Sequence, residues 1–278
     1  CSFLSLLITT NAIAQQPVAT KSIEMVDRLP SIPFLPDPLL IDEGTRNIPI
    51  VNKEQWQNKS NWIKEQYQYW ISGTVPPAPA SIQVKVLSEK KIDGVLLRMV
   101  EIYFGPGNKG KLTVELLIPP AQKPLPVFIT QWNHRGWAQI AVRRGYMGCV
   151  YAGADDKDDT ENYATLFPGY SFSTLMKRAW AASRAVDYLY TLPEADTARI
   201  GITGHSRNGK QSLLAAAFDE RIKAVVSSSA GTGGENPFRY TDDSYDNESI
   251  DDITKNFPDW FHPRLRLFIG KEQKLPVD

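Results

Sequence analysis

Ile200-Gly201-Ile202-Thr203-Gly204-His205-Ser206-Arg207-Asn208-Gly209-Lys210 is the stretch on which the reading of this chain turns. Arg199–Thr203 reads as a buried strand, and a helix of small residues follows through Leu213, Leu214, Ala217 and Phe218. A serine at that junction, with Gly204 two residues before it and Gly209 three after, is close to the G-x-S-x-G elbow. In that elbow a strained turn lifts the serine oxygen above the sheet edge. Small residues are needed on both sides because the backbone doubles back tightly. The following helix start presents backbone N–H groups where an oxyanion would form. The second glycine stands one place late, with Asn208 in its usual position. The plainer alternative is a serine capping an ordinary helix.

Outward from the elbow, Val127-Phe128-Ile129 and Met147–Tyr151 read as short buried strands, and Leu175, Ala179, Ala182, Val186 and Leu189 mark a helical face. Ala224-Val225-Val226 reads as the strand after the elbow helix. Strands feeding helices feeding strands predict an α/β fold with a parallel sheet covered on both faces. Strand signals also fall at Ile82–Leu87, Val95–Phe104 and Leu112–Ile118. Residues 15–80, broken by Pro30, Pro33, Pro36, Pro38, Pro76, Pro77 and Pro79, read as an N-terminal arm around one helix over Lys53–Ile71. Residues 81–278 form the main domain.

The 278 residues carry 31 Lys+Arg against 31 Asp+Glu, so no whole-chain field favours nucleic acid or an anionic membrane. Two cysteines, Cys1 and Cys149, cannot build a disulfide framework or a four-thiolate zinc site. The opening apolar run ends in Ala12-Ile13-Ala14, which predicts that residues 1–14 are the remainder of an export signal cleaved after Ala14. The expected protein is secreted or periplasmic, monomeric, and free of the membrane after processing.

Gly204-His205-Ser206-Arg207-Asn208-Gly209-Lys210 resembles the G-C-S-R-x-G-K signature of the glucuronoyl esterases, α/β-hydrolases that cleave glucuronic acid esters between xylan and lignin. The likeness extends through Ala179–Leu189, Phe218–Ile222 and Asn256–Phe261, with His205 in place of the usual cysteine. It implies a three-layer α/β-hydrolase sandwich with a mostly parallel central sheet. It also implies an exported serine ester hydrolase that needs no cofactor and takes a small-molecule or polysaccharide ester. By position, Ser206 is the nucleophile and Arg207 the oxyanion stabiliser; Lys210 and Glu248 would bind the sugar. An acetylxylan esterase or general carboxylesterase, or a silent polysaccharide-binding domain, are the alternatives.

The partners of Ser206 are harder to place. Some members of the family carry a carboxylate 23 residues after the serine, which is Ser229 here; Glu235 stands nearby at another offset. A serine hydroxyl needs a base, and this fold orders its triad as serine, acid, histidine. Of His134, His205 and His262, only His262 follows with any separation, and only one strand intervenes. The acid and base are therefore expected beyond Asp278, with the C-terminal part of the fold. His134 is expected to lend its backbone N–H, and His205 to be a packed spacer. Asp155-Asp156-Lys157-Asp158-Asp159 with Glu161 lacks the spacing of a calcium loop and reads as solvated. Gly231-Thr232-Gly233-Gly234 lacks the residues of a phosphate loop. Trp132, Trp137 and Trp260 could each stack on a sugar ring but read first as core, Trp260 alone being grouped with the substrate-binding residues, and no residue set has zinc-ligand spacing.

Overall fold

Seven strands make one mixed sheet in the computed structural model, which describes residues 25–42, 47–241 and 247–278. A small ribbon of β1 (Leu40–Asp42) and β2 (Asn47–Pro49) precedes helix α1 (Lys53–Tyr67). The sheet strands are β3 (Gln83–Ile92), β4 (Val95–Phe104), β5 (Gly110–Ile118), β6 (Leu125–Gln131) and β7 (Met147–Tyr151), followed, after the hairpin β8 (Gly153–Ala154)–β9 (Lys157–Asp158), by β10 (Ala195–His205) and β11 (Ala224–Ser228). Helices α2 (Arg135–Val142), α3 (Tyr163–Leu166), α4 (Thr174–Leu189), α5 (Arg207–Phe218) and α6 (Ile250–Asn256) complete the regular elements used below.

The order across the sheet is β11-β10-β6-β7-β5-β4-β3. The pairs β11–β10, β10–β6 and β6–β7 are parallel, as the alternation of strand and helix predicts. Beyond β7 the pairing is antiparallel, because β3, β4 and β5 follow one another through short turns. Parallel character is thus confined to the half that carries Ser206. β3 runs five residues further than its apolar signal. Ser88-Glu89-Lys90-Lys91 is polar and exposed, but the Asp93-Gly94 turn, with φ of 49° and 82°, folds it back onto β4.

Alternation along the central strands separates two apolar layers. Val127, Ile129, Met147 and Cys149 face the main core, where α4 packs, while Phe128 and Val150 face a smaller cluster beneath α2. Ala179, Ala181, Ala182 and Ala185 keep α4 thin where it meets its neighbours. Cys149 is fully buried, and burial pushes its thiol up to about 12.

The arm is part of this core. The expected helix over Lys53–Ile71 is α1 plus a wider final turn at Gln68–Ser72, which delivers Trp70 and Ile71 into the main core. Trp70 meets Phe268 edge to face at 5.1 Å, and Arg239 donates to the carbonyls of Ile32 and Phe34 at 2.8 and 2.9 Å. Residues 1–14, the expected export signal, lie outside the described residues. Among the described residues no helix is long and apolar enough to cross a membrane.

Candidate functional site

β10 ends at His205, and α5 begins at Arg207 with no residue to spare except Ser206. Ser206 turns the chain with φ 55° and ψ −129°, a conformation that costs of order 1–3 kcal/mol for a residue other than glycine. Its side chain makes no capping hydrogen bond, so the helix-cap alternative does not describe it. The turn is held from the backbone. The Ser206 N–H donates to the Ser228 carbonyl at 2.9 Å, and the Ser206 carbonyl accepts from Gly209 and Lys210 at 2.8 and 3.1 Å.

Both glycines are explained by close approach. A Cβ on Gly204 would lie 2.2 Å from the Asn208 carbonyl oxygen, and one on Gly209 would lie 2.7 Å from the Ser227 hydroxyl. Asn208, in the place the general pattern gives to glycine, has room for a side chain. Its amide reaches the His134 ring at 3.3 Å. The late second glycine thus marks where α5 touches β11. The N–H groups of Arg207 and Asn208, the first two of α5, have no acceptor within the helix.

Ser206 is exposed at a cavity of about 290 Å³. Lys210, Glu248, Phe257, Trp260 and the Ser229–Thr232 turn form the other walls. Four of the five residues singled out from the sequence therefore meet in one place. The fifth, Arg207, has its guanidinium 5.7 Å from the Trp260 ring centre. Trp260 stacks one face on Phe257 at 3.8 Å and 7° between planes, and lies 5.7 Å from the Lys210 ammonium.

Lys210 is 2% exposed, an uncommon burial for a lysine. Its Nζ donates to the Ala230 carbonyl and pairs with Glu248 at 3.6 Å. Burial lowers its pKa below the ordinary lysine value, with Glu248 and Glu235 pulling the other way. An ammonium has three donors; the Ala230 carbonyl and Glu248 account for two directions.

Ser229, at the position where some relatives place a carboxylate, has φ 49° and lines the cavity without offering a charge. Glu235 does not reach Ser206. Its carboxylate accepts the N–H groups of Ala230 and, at 3.0 Å, Gly231, and so fixes the turn that roofs Lys210. These backbone bonds help hold its pKa below the usual carboxylate value against the effect of burial.

No imidazole among the described residues hydrogen-bonds Ser206. His134 stacks on Trp137 at 4.4 Å; burial, and secondarily the nearby His205, lower its pKa. His205 faces the Ser228 hydroxyl at 3.3 Å. His262 accepts the Arg264 N–H at 3.1 Å and caps a short helical turn; burial and the Arg264 charge push it down to about 4. Among the described residues no group of three or more His, Cys, Asp or Glu is arranged to hold a metal ion.

The acidic run after β7 is solvent-exposed in part, as expected, but three of its carboxylates are paired. Asp155 pairs with Arg207, Asp158 pairs with Arg178 at 2.7 Å, and Asp159 accepts the Thr113 N–H at 2.6 Å. Asp155, Asp156, Lys157 and Glu161 are exposed, Asp158 and Asp159 are half-buried, and the Lys157 ammonium sits 3.5 Å above the half-buried Trp132 ring. Composition cannot show such pairing, because the partners lie 20 to 50 residues away. Phe257, also missed, had a local signal in its spacing of three from Trp260.

Residues 104–278 match the sequence model of the family described as "Glucuronyl esterase, fungi". A 4-O-methyl-glucuronoyl methylesterase of Phanerochaete carnosa is 28% identical over 267 residues, covering 89% of this chain and 63% of that protein. The chain thus spans less than two thirds of that relative's length. Among solved structures, a promiscuous esterase from a marine bacterial metagenome superposes with a TM-score of 0.74 at 20% identity, over 91% of this chain and 76% of the other. The glucuronoyl esterase of Solibacter usitatus gives 0.73 at 22%, with the same coverage.

Proposed function

Because the chain belongs to the glucuronyl esterase family, we propose that it hydrolyses glucuronoyl esters, such as those of plant xylan, through an acyl-enzyme on Ser206. The observation that carries this reading is the strained, uncapped Ser206 at the mouth of a cavity walled by a buried cation, a carboxylate and an indole face. A uronate ester carries its carbonyl directly on a sugar ring. With that carbonyl at Ser206, the ring hydroxyls fall to Lys210 and Glu248 and the ring face to Trp260.

Ser206 Oγ attacks the carbonyl carbon and the carbonyl oxygen gains the negative charge. The Arg207 N–H, its guanidinium and the positive end of α5 stabilise that charge. The alcohol leaves with the proton taken from Ser206 as the carbonyl re-forms; water, giving a proton to the same base, then attacks the acyl-serine, and that proton returns to Ser206 as the uronic acid is released. His134, His205 and His262 are each engaged elsewhere, so the proton on Ser206 passes to a group other than these three. Export after cleavage at Ala14 belongs to the same reading, since the substrate is a wall polymer.

The test is hydrolysis of methyl and benzyl glucuronate beside acetylated xylan by the protein expressed from its complete gene, together with glucuronate binding to this chain by calorimetry. Preference for the uronate esters and saturable glucuronate binding are expected. Preference for acetylated xylan would replace the reading with a general esterase, and binding without turnover would replace it with a silent polysaccharide-binding domain.

A further inference from the structure

The loop between β8 and β9 is two residues long, Asp155 and Asp156, and the two carboxylates have different fates. Asp156 is exposed. Asp155 faces three donors from three elements: Nη2 of Arg207 at the start of α5, Nη1 of Arg178 on α4 at 3.3 Å, and the amide of Asn133 after β6 at 3.4 Å. Arg178, with 8% of its side chain exposed, is held from the other side by Asp158, 7% exposed, through contacts of 2.8 and 2.7 Å. Asp158 in turn accepts the N–H and hydroxyl of Thr160 at 2.9 and 2.5 Å. A chain of alternating charges, Asp158, Arg178, Asp155, Arg207, therefore runs from the interior to the residue beside the serine.

An arginine side chain keeps about 2 kcal/mol of rotamer freedom that must be given up to hold one position. Arg207 is 36% exposed, and an isolated pair at such exposure contributes little. Here the partner is already fixed. Arg178 and Asn133 give Asp155 partners of its own, so pairing with Arg207 costs mainly the freedom of one side chain. On its other side Arg207 has the Trp260 ring. Between these two the guanidinium is set in place before any charge develops at Ser206, which is the condition under which a donor stabilises a transition state without reorganising.

We propose that Asp155 is the positioning residue for Arg207: its carboxylate, anchored by Arg178, holds the guanidinium at the elbow. The proposal rests on the reading of Arg207 as an oxyanion donor given above, but its structural half can be measured without turnover. In this chain the Nη2 proton resonance of Arg207 should be sharp and slow to exchange. Asp155→Asn should broaden it or speed its exchange, and Asp155→Glu, which keeps the charge, should restore it in part. In the protein expressed from its complete gene, Asp155→Asn should lower kcat on methyl glucuronate about tenfold to a hundredfold with KM changed less than twofold, the scale of a misplaced group. The same substitution placed on Arg207→Ala should add nothing.

An unchanged Arg207 resonance in Asp155→Asn overturns the proposal, as does a loss of kcat that persists undiminished on Arg207→Ala. A rise in kcat also overturns it, because Asp155 would then be quenching the cation rather than placing it. If Arg207→Ala alone leaves kcat intact, the oxyanion role fails instead, and the resonance still decides whether Asp155 fixes the side chain. Should Asp155→Asn not fold, the comparison of wild type with Asp155→Glu carries the same decision: an Arg207 resonance identical in the two overturns the proposal.

Discussion

On the β11 side of Ser206 the chain leaves space, and on the β6–β7 side it leaves almost none. Both sides carry the same kinds of residue: a basic group, a carboxylate, an amide and aromatic rings. Over β11, Lys210 lies buried with Glu248 3.6 Å away, and the turn from Ser229 to Thr232 borders the cavity. Over β6 and β7, Arg178 and Arg207 are taken up by Asp155 and Asp158, Asn208 by His134, and Trp132 by Lys157. The difference lies in the backbone. β8 and β9 fold back tightly and bring their carboxylates to α4 and α5, whereas β11 opens into a turn with positive φ at Ser229, Gly231 and Gly233. One flank is packed with paired charges, and the other leaves an open cavity.

The comparison breaks first at the residue between the flanks. Ser206→Ala should lower glucuronate ester turnover by about 10⁴ or more, measured in the protein expressed from its complete gene. Folding should be nearly unchanged, because the exposed hydroxyl makes no hydrogen bond within the described residues. Activity near wild type would remove Ser206 from the chemistry. The next largest effect belongs to the packed flank. Arg207→Ala should lower kcat by about 10²–10³ on uronate and acetyl esters alike, since a developing oxyanion is common to both.

The open flank should show itself in binding instead. Lys210→Ala should raise KM for methyl glucuronate about tenfold and leave small acetyl esters unaffected, because it removes a contact made equally in ground and transition states. Calorimetry of glucuronate with this chain gives the same comparison without turnover. A matched loss on both esters would place Lys210 with Arg207 rather than opposite it.

Much of this arrangement could be read in the sequence. The elbow, its two glycines and the parallel half of the sheet follow from local patterns: a strand of β-branched residues, a turn with glycine at the points of close approach, and a small-residue helix. Lys210 and Glu248 follow from resemblance and Trp260 from the stacking face an indole offers, and they meet at the cavity although they stand up to 50 residues apart. What could not be read was pairing at a distance. The acidic run looked solvated because the arginines that cover it come from α4 and α5, and β3 looked short because its last residues are polar and held only by their partner strand. Glu235 looked like a stray carboxylate until its bonds to the Ala230 and Gly231 backbone placed it beneath the turn.

The smallest expected effect decides what the one histidine well beyond the elbow does. The Nδ1 of His262 must be unprotonated to accept the Arg264 N–H, and burial beside the Arg264 guanidinium holds its pKa near 4, against an ordinary value of 6.5. In the unfolded chain the ring takes up a proton as pH falls through about 6.5, while in the folded chain it resists until about 4. His262 therefore contributes full stability above 6.5, and that contribution is lost progressively between 6.5 and 4. The full shift would correspond to a few kcal/mol; for a half-exposed ring, solvent screening reduces this to about 1–2 kcal/mol. Denaturant unfolding at pH 7.0 and pH 4.5 should show this loss in the wild type. It should be smaller in His262→Asn, whose side-chain oxygen can still accept the Arg264 N–H. Turnover at pH 7 should be unchanged in that variant. If His262→Asn instead abolishes turnover while the acid loss of stability persists, His262 is the base for Ser206, and the separation of the two flanks from the rest of the fold is wrong.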